Sequence, residues 1–254
     1  LAASCWMFAG AQGTDTVDTE APADVELAAT LGNLVEQAAE PMDSGRLQAA
    51  ADLFARVSFD EIKSRIASPA DVAAVDRLAT ACFGLGIRGE RAGDFELAAE
   101  QFSASAQWRK LVLPPGHPNH TIALAKLGNA KRMLGDFAAS SQALEAALAQ
   151  AKSTFPVDQH PNGHQLIALI MNDLGALQRS RGDYAAAIRY YDESLAMLRQ
   201  LLPPDHLSIA NIENNLAFAL QWEGDYAESR RHFENAIAIY ENEANQNKPG
   251  VAAN

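Results

Sequence analysis

Basic charge is scarce in this sequence: 20 Lys and Arg stand against 32 Asp and Glu over 254 residues, a formal net charge of −12. Such a field repels phosphate backbones and anionic lipid, which argues against nucleic acid as a partner. Cysteine is scarcer still. Cys5 and Cys82 belong to no CxxC pair and no metal-ligand spacing, which excludes a disulfide framework and a zinc knuckle. Cys82 falls among apolar residues and reads as a small core residue. The 16 Gly and 11 Pro are too few and too localised for a disordered or collagen-like chain. After the first residues no apolar run reaches the ~20 residues that a membrane-spanning helix needs. There is no nucleophile elbow, phosphate loop or HExxH, so the chain reads as a non-enzyme that needs no cofactor.

What is present is a repeat. Gly93-Asp94-Phe95, Gly135-Asp136-Phe137, Gly182-Asp183-Tyr184 and Gly224-Asp225-Tyr226 recur at intervals of 42, 47 and 42 residues. Ahead of each stands an apolar-small pair: Leu85-Gly86, Leu127-Gly128, Leu174-Gly175 and Leu216-Ala217. After each come a small residue (Ala98, Ser140, Ala187, Ser229), a large one (Phe102, Leu144, Tyr191, Phe233) and a second small one (Ser105, Ala147, Ser194, Ala236). These follow-on residues are four and three apart and so share one face of a helix. The Gly-Asp step suits the end of one helix and the N-cap of the next, so each unit is expected to be a helical hairpin. Leu113-Pro114-Pro115-Gly116-His117-Pro118, the stretch from Phe155-Pro156 to Pro161, and Leu202-Pro203-Pro204-Asp205-His206 are then the turns between hairpins, because proline cannot continue a helix.

The sequence resembles tetratricopeptide repeats of the long, roughly 42-residue kind found in kinesin light chain and in many bacterial tandem-repeat proteins. Pro204-Asp205-His206, Asn214-Asn215-Leu216-Ala217, Gly224-Asp225-Tyr226 and the Ala236-Ile237-Ala238-Ile239-Tyr240 end of the last helix carry the likeness, which is good from about Asp71 to Tyr240. The fold expected is all-α, a superhelical α-solenoid of stacked antiparallel hairpins. Four regions follow: residues 1–22, a signal-peptide remnant and acidic linker; 23–68, a degenerate helical N-terminal cap with Pro41 disturbing its first helix; 69–244, four hairpins; and 245–254, a disordered tail. No further helix follows to cover the last repeat, which suggests self-association through that uncapped flank, a partner on it, or a longer natural chain. The last option makes this the sensor part of a larger enzyme or signalling protein.

The resemblance also implies that the first helices line a concave groove that binds a peptide or partner protein. Carried over position by position, the groove receives Thr80, Phe83 and Ile87, then Ile122, Ala125 and Asn129, then Leu169, Asn172 and Ala176, then Asn211, Asn214 and Phe218. The first set offers no asparagine and departs from the pattern. Asparagine supplies the donor and the acceptor that an extended backbone requires, so Asn129, Asn172, Asn211 and Asn214 are the leading contacts; solvated helix positions are the alternative. Arg91, Arg132 and Arg179 near the ends of the first helices form a candidate basic strip for a carboxylate-bearing ligand. Pairing with neighbouring acids is the alternative there. His117 and His120 are three apart and His160 and His164 four apart, but with His206 they recur at the inter-repeat turns, so a metal site is not expected.

The chain begins with an apolar, uncharged stretch over residues 1–11, followed by a polar, acidic one. Ala9-Gly10-Ala11 has the small-x-small form of a signal-peptidase site, leaving Gln12 as the first mature residue. A lipoprotein cut before Cys5 and a cytoplasmic fragment are the competing readings. The expected compartment is therefore the bacterial periplasm or outside the cell, with the cytoplasm as alternative.

Overall fold

The structure, a computed structural model, describes residues 23–246, with side chains described over 27–242. The expected signal-peptide remnant and acidic linker of residues 1–22, and residues 247–254 of the expected tail, lie outside the described residues. Within them the chain is a run of α-helices without a strand: α1 (Ala23–Asp43), α2 (Leu47–Phe54), α3 (Phe59–Arg65), α4 (Pro69–Ala92), α5 (Phe95–Val112), α6 (Pro118–Met133), α7 (Phe137–Thr154), α8 (Gln165–Ser180), α9 (Tyr184–Leu201), α10 (Leu207–Glu223) and α11 (Tyr226–Gln246). The pairs α4–α5, α6–α7, α8–α9 and α10–α11 are antiparallel hairpins, and each packs against the next. The fold is an α-solenoid.

Each hairpin bend is built by its Gly-Asp step. Gly93, Gly135, Gly182 and Gly224 take φ of +78°, +78°, +82° and +97°, a left-handed conformation that a side chain would strain. The aspartate that follows caps the second helix. Its Oδ1 accepts from the backbone N–H three residues on: Asp94 from Leu97 (3.0 Å), Asp136 from Ala139 (3.1 Å), Asp183 from Ala186 (2.9 Å) and Asp225 from Glu228 (3.2 Å).

The helices of a hairpin meet at the apolar-small pair. A methyl group on Gly86, Gly128 or Gly175 would lie 2.6–2.7 Å from the side chain of Phe102, Leu144 or Tyr191, all fully buried. Glycine there is a requirement of space.

The turns between hairpins are closed by histidine. His117, His164 and His206 each precede a first helix, and each Nδ1 accepts from the backbone N–H two residues on, at 3.2, 3.1 and 3.0 Å. An accepting Nδ1 carries no hydrogen, so each of these caps uses a bare ring nitrogen. The His160–His164 pair is packed rather than open: the His164 ring stacks on Phe155 at 3.5 Å and His160 meets Phe155 edge-on at 5.3 Å.

At the N-terminal side α1 and α2 form a fifth, shorter hairpin against α4, and Leu27, Leu31, Phe54, Leu78 and Cys82 share one apolar cluster. Pro41 falls in the last turn of α1, which continues to Asp43. The extra helix α3, which the sequence pattern does not signal, brings Phe59 to 4.9 Å from Trp108. Burial pushes the Cys82 thiol up to about 12, so it is an inert core group. At the other end α11 continues past Asn245 to Gln246.

Candidate functional site

The first helices approach one another: α6 meets α8 and α8 meets α10 directly, whereas α7 and α9 make their main contacts with first helices. That places α4, α6, α8 and α10 on the inside of the curve. Their facing side chains follow one register, in which residues on the C-terminal side of one helix point at the helix of the next repeat.

Along this register runs a ladder of polar groups. Lys126 Nζ on α6 reaches Glu90 Oε2 on α4 at 2.9 Å. Asn129 on α6 hydrogen-bonds Asp173 on α8, while Arg132 Nη1 donates to Ser180 Oγ at 3.3 Å. Asn215 on α10 donates to Asn172 Oδ1 at 2.9 Å. Asp173 is half-buried by exposure yet enclosed by helices, and this desolvation pushes its carboxyl up to about 6, against the pull of Asn129, Lys126 and Arg132. Burial, and then the neighbouring Arg179, hold the Arg132 guanidinium below its ordinary value. The Nε atoms of Arg132 and Arg179 are buried and make no hydrogen bond. Arg179 also faces the buried Tyr191 hydroxyl.

The structure thus brings Asn129, Arg132, Asn172 and Arg179 together. Arg91 stands apart, exposed in the last turn of α4. Glu90, not Arg91, holds the repeat position of Arg132 and Arg179, so α4 contributes a carboxylate and the basic strip is two arginines long. Asn211 is engaged within its own hairpin, accepting from Tyr240 Oη at 2.7 Å. Asn214 and Phe218 lie on the flank of α10 that, in earlier repeats, faces the following first helix; Phe218 meets Phe233 edge-on at 5.0 Å.

Lys126 and Asp173 were not among the expected residues, although they were findable. With Gly84 and Asn215 they fill one repeat position, and that register contains charge where the helix is otherwise apolar. Glu213 was harder to foresee, since its equivalents are Cys82, Leu124 and Met171. It is buried, pairs with Arg199 and lies 2.5 Å from His232 Nδ1. Burial would raise its carboxyl, but His232 and Arg199 hold it below the usual range. No three His, Cys, Asp or Glu are placed to hold a metal among the described residues.

Two family models, both tetratricopeptide repeats, match residues 167–208 and 208–254. Residues 167–254 thus carry tetratricopeptide repeats, and the described chain has the fold of such repeats. A search of curated proteins finds no match. Among solved structures, the Podosopora anserina kinesin light chain with nearly identical TPR-like repeats is similar at 20% identity and a TM-score of 0.58, over 87% of this chain and 99% of that one. BtubC (BKLC) from P. vanneervenii is similar at 16% identity and a TM-score of 0.61, over 91% and 87%. A MamA protein is similar at 16% identity and a TM-score of 0.53, over 89% and 99%. At these identities the likeness shows the tetratricopeptide fold, and proteins built of such repeats serve as interaction scaffolds.

Proposed function

We propose that this tetratricopeptide protein holds an extended peptide or partner-protein segment in the hollow lined by α4, α6, α8 and α10, and that it binds this partner without converting it. The observation that carries the reading is the pair Arg132 and Arg179: two partly exposed guanidinium groups on neighbouring inner helices, close enough to act on one another. A carboxylate on the incoming chain fits there, since it can accept from both. Asp173 competes for Arg132, and its raised pKa eases its displacement. Asn129 and Asn172 retain amide groups for the ligand backbone.

Capture from a peptide library tests this. Arg132→Ala with Arg179→Ala should lower affinity at least tenfold for a ligand with an acidic side chain or free C-terminus, with the helical signal unchanged. Equal binding by the double variant would remove the hollow from the account.

A second reading is favoured by one observation: the C-terminal flank of the fourth hairpin, with Phe218, Ile237 and Tyr240 exposed, is covered by no described residue. It is the face on which self-association, or docking within a larger enzyme or signalling protein, would occur. Sedimentation of wild type against Phe218→Ser with Ile237→Ser decides it; a concentration-independent monomer in both removes self-association. The export signal makes the periplasm or the exterior our proposed compartment. Mature protein starting at Gln12 supports this, and an uncut chain in the cytoplasm opposes it.

A further inference from the structure

Three junctions between hairpins share one geometry: the end of a second helix, a proline turn, the start of the next first helix, and the end of the second helix after it. Their chemistry differs. At the α9–α10 junction Arg199 is neutralised by the buried Glu213 carboxylate, with His232 on the other oxygen. At the α7–α8 junction the space is filled, and a methyl on Gly163 would meet the Met197 sulfur at 2.6 Å.

At the α5–α6 junction Gly116 likewise packs closely on Thr154, whose Oγ1 would lie 2.7 Å from an added methyl, but the charge is left without a counter-ion. Lys110, in the repeat position of Lys152 and Arg199, is exposed and makes no ion pair among the described residues, and Leu124 stands where Glu213 stands. A cleft of about 540 Å³ remains, bordered by Arg109, Lys110, His120, Gln150, Ser153 and Thr154, without a carboxylate in its lining.

Arg109 and His120 are out of pattern. They are 5% and 8% exposed, in positions held elsewhere by the buried apolar pairs Leu198 with Ile209 and Ala151 with Ile167. Arg109 Nη1 donates to the Asn119 carbonyl at 3.0 Å and its guanidinium lies 4.9 Å over the Phe83 ring. Asp76 on α4 acts on it electrostatically, yet Arg109 Nε is buried without a partner. His120 has Gln150 as its hydrogen-bonding neighbour, and the charged groups that act on it, Lys110 and Arg109, are both positive; with burial they push its pKa down. Ser153 offers a hydroxyl with no hydrogen bond of its own. Buried polar groups left in a positive field cost stability, and apolar residues would serve packing better. A doubly charged anion in the cleft would offset that cost.

We propose that the α5–α6 junction cleft is a binding site for a phosphate-type oxyanion, with Lys110 and Arg109 supplying charge and His120 and Ser153 supplying donors. It shares no residue with the polar ladder of the hollow and stands or falls separately from peptide binding there.

Inorganic phosphate and a Gly–phosphoserine–Gly peptide, each titrated into the full chain against NaCl at matched ionic strength, test it by calorimetry and by the His120 imidazole NMR signal. The expected result is a saturable response to at least one of them, with the His120 signal moving toward its protonated position. Tighter binding of the peptide assigns the anion to a phosphorylated partner; tighter or equal binding of phosphate assigns it to a small molecule. Lys110→Gln weakens binding at least tenfold, and Lys152→Gln, at the equivalent position of the next junction, leaves it unchanged. His120→Ile restores the apolar residue of the other repeats, so it abolishes binding while melting no lower than wild type. No saturable response to either probe, a response that NaCl reproduces, or unchanged affinity in Lys110→Gln would overturn the proposal.

Discussion

Phe102, Leu144 and Tyr191 are fully buried, whereas Phe233, at the same repeat position in the fourth hairpin, is half-exposed and turned edge-on to Phe218. The hairpins are alike in sequence; their neighbours are not. The first three are each followed by another first helix, and the first is also covered by α1, α2 and α3. A repeat's central side chain is thus buried partly by its own hairpin and partly by the next, the one-neighbour arithmetic of a solenoid.

The strongest way to break this comparison is to truncate both ends of it. Phe102→Ala should cost about 3–5 kcal/mol and Phe233→Ala about 1–2 kcal/mol, read from urea unfolding. Equal losses would mean that the following hairpin contributes nothing to burial.

A smaller effect separates space from propensity. Gly175→Ala puts a methyl 2.6 Å from the Tyr191 ring, and overpacking of about 1–3 kcal/mol should exceed the ~1 kcal/mol gained in helix propensity. Ala217→Gly, the reverse change in the fourth hairpin, should lose the propensity and one buried methyl, about 1–2 kcal/mol. A stabilised Gly175→Ala protein would contradict the close approach of α8 and α9.

The smallest effects concern protons, and they have opposite signs. His164 caps α8 with an unprotonated ring, and burial followed by the neighbouring His160 lowers its pKa from 6.5. The unfolded chain then binds more protons, so this contribution is complete above pH 6.5 and lost as the pH falls below it. His164→Asn keeps an acceptor at the cap and should remove that acid loss, about 1 kcal/mol between pH 8 and pH 5. Asp173 is raised in the fold from 3.8 to about 6, so the folded chain binds the extra proton and stability falls as the pH rises through about 6. Asp173→Asn should therefore stabilise the protein at pH 8 relative to wild type and change little at pH 4.5, as urea melts at both pH values would show.

Much of this architecture was legible in the sequence because a repeat states its rules four times. The Gly-Asp bends, the small residues facing Phe102, Leu144 and Tyr191, and the proline turns are local devices that need no knowledge of the neighbours. The helix α3 was not legible, since it occurs once and is short. The three histidine caps were visible as a recurrence but not as a function, because asparagine and aspartate are the usual acceptors at that position. The polar ladder was half legible: Asn129 and Arg132 stand out on their helix, but their partners Asp173 and Ser180 belong to the next repeat, and only stacking brings them together. The departure of Arg91 from the strip follows from one residue of register, which puts Glu90 opposite Lys126.

The claim that the inside of the stack receives the partner is tested most directly by position. A photo-crosslinking residue introduced at Ala176, on inner helix α8, or at Arg189, on outer helix α9, reports which wall the captured ligand touches. The account predicts a crosslink from position 176 and none from position 189. Crosslinking from 189 alone would contradict it.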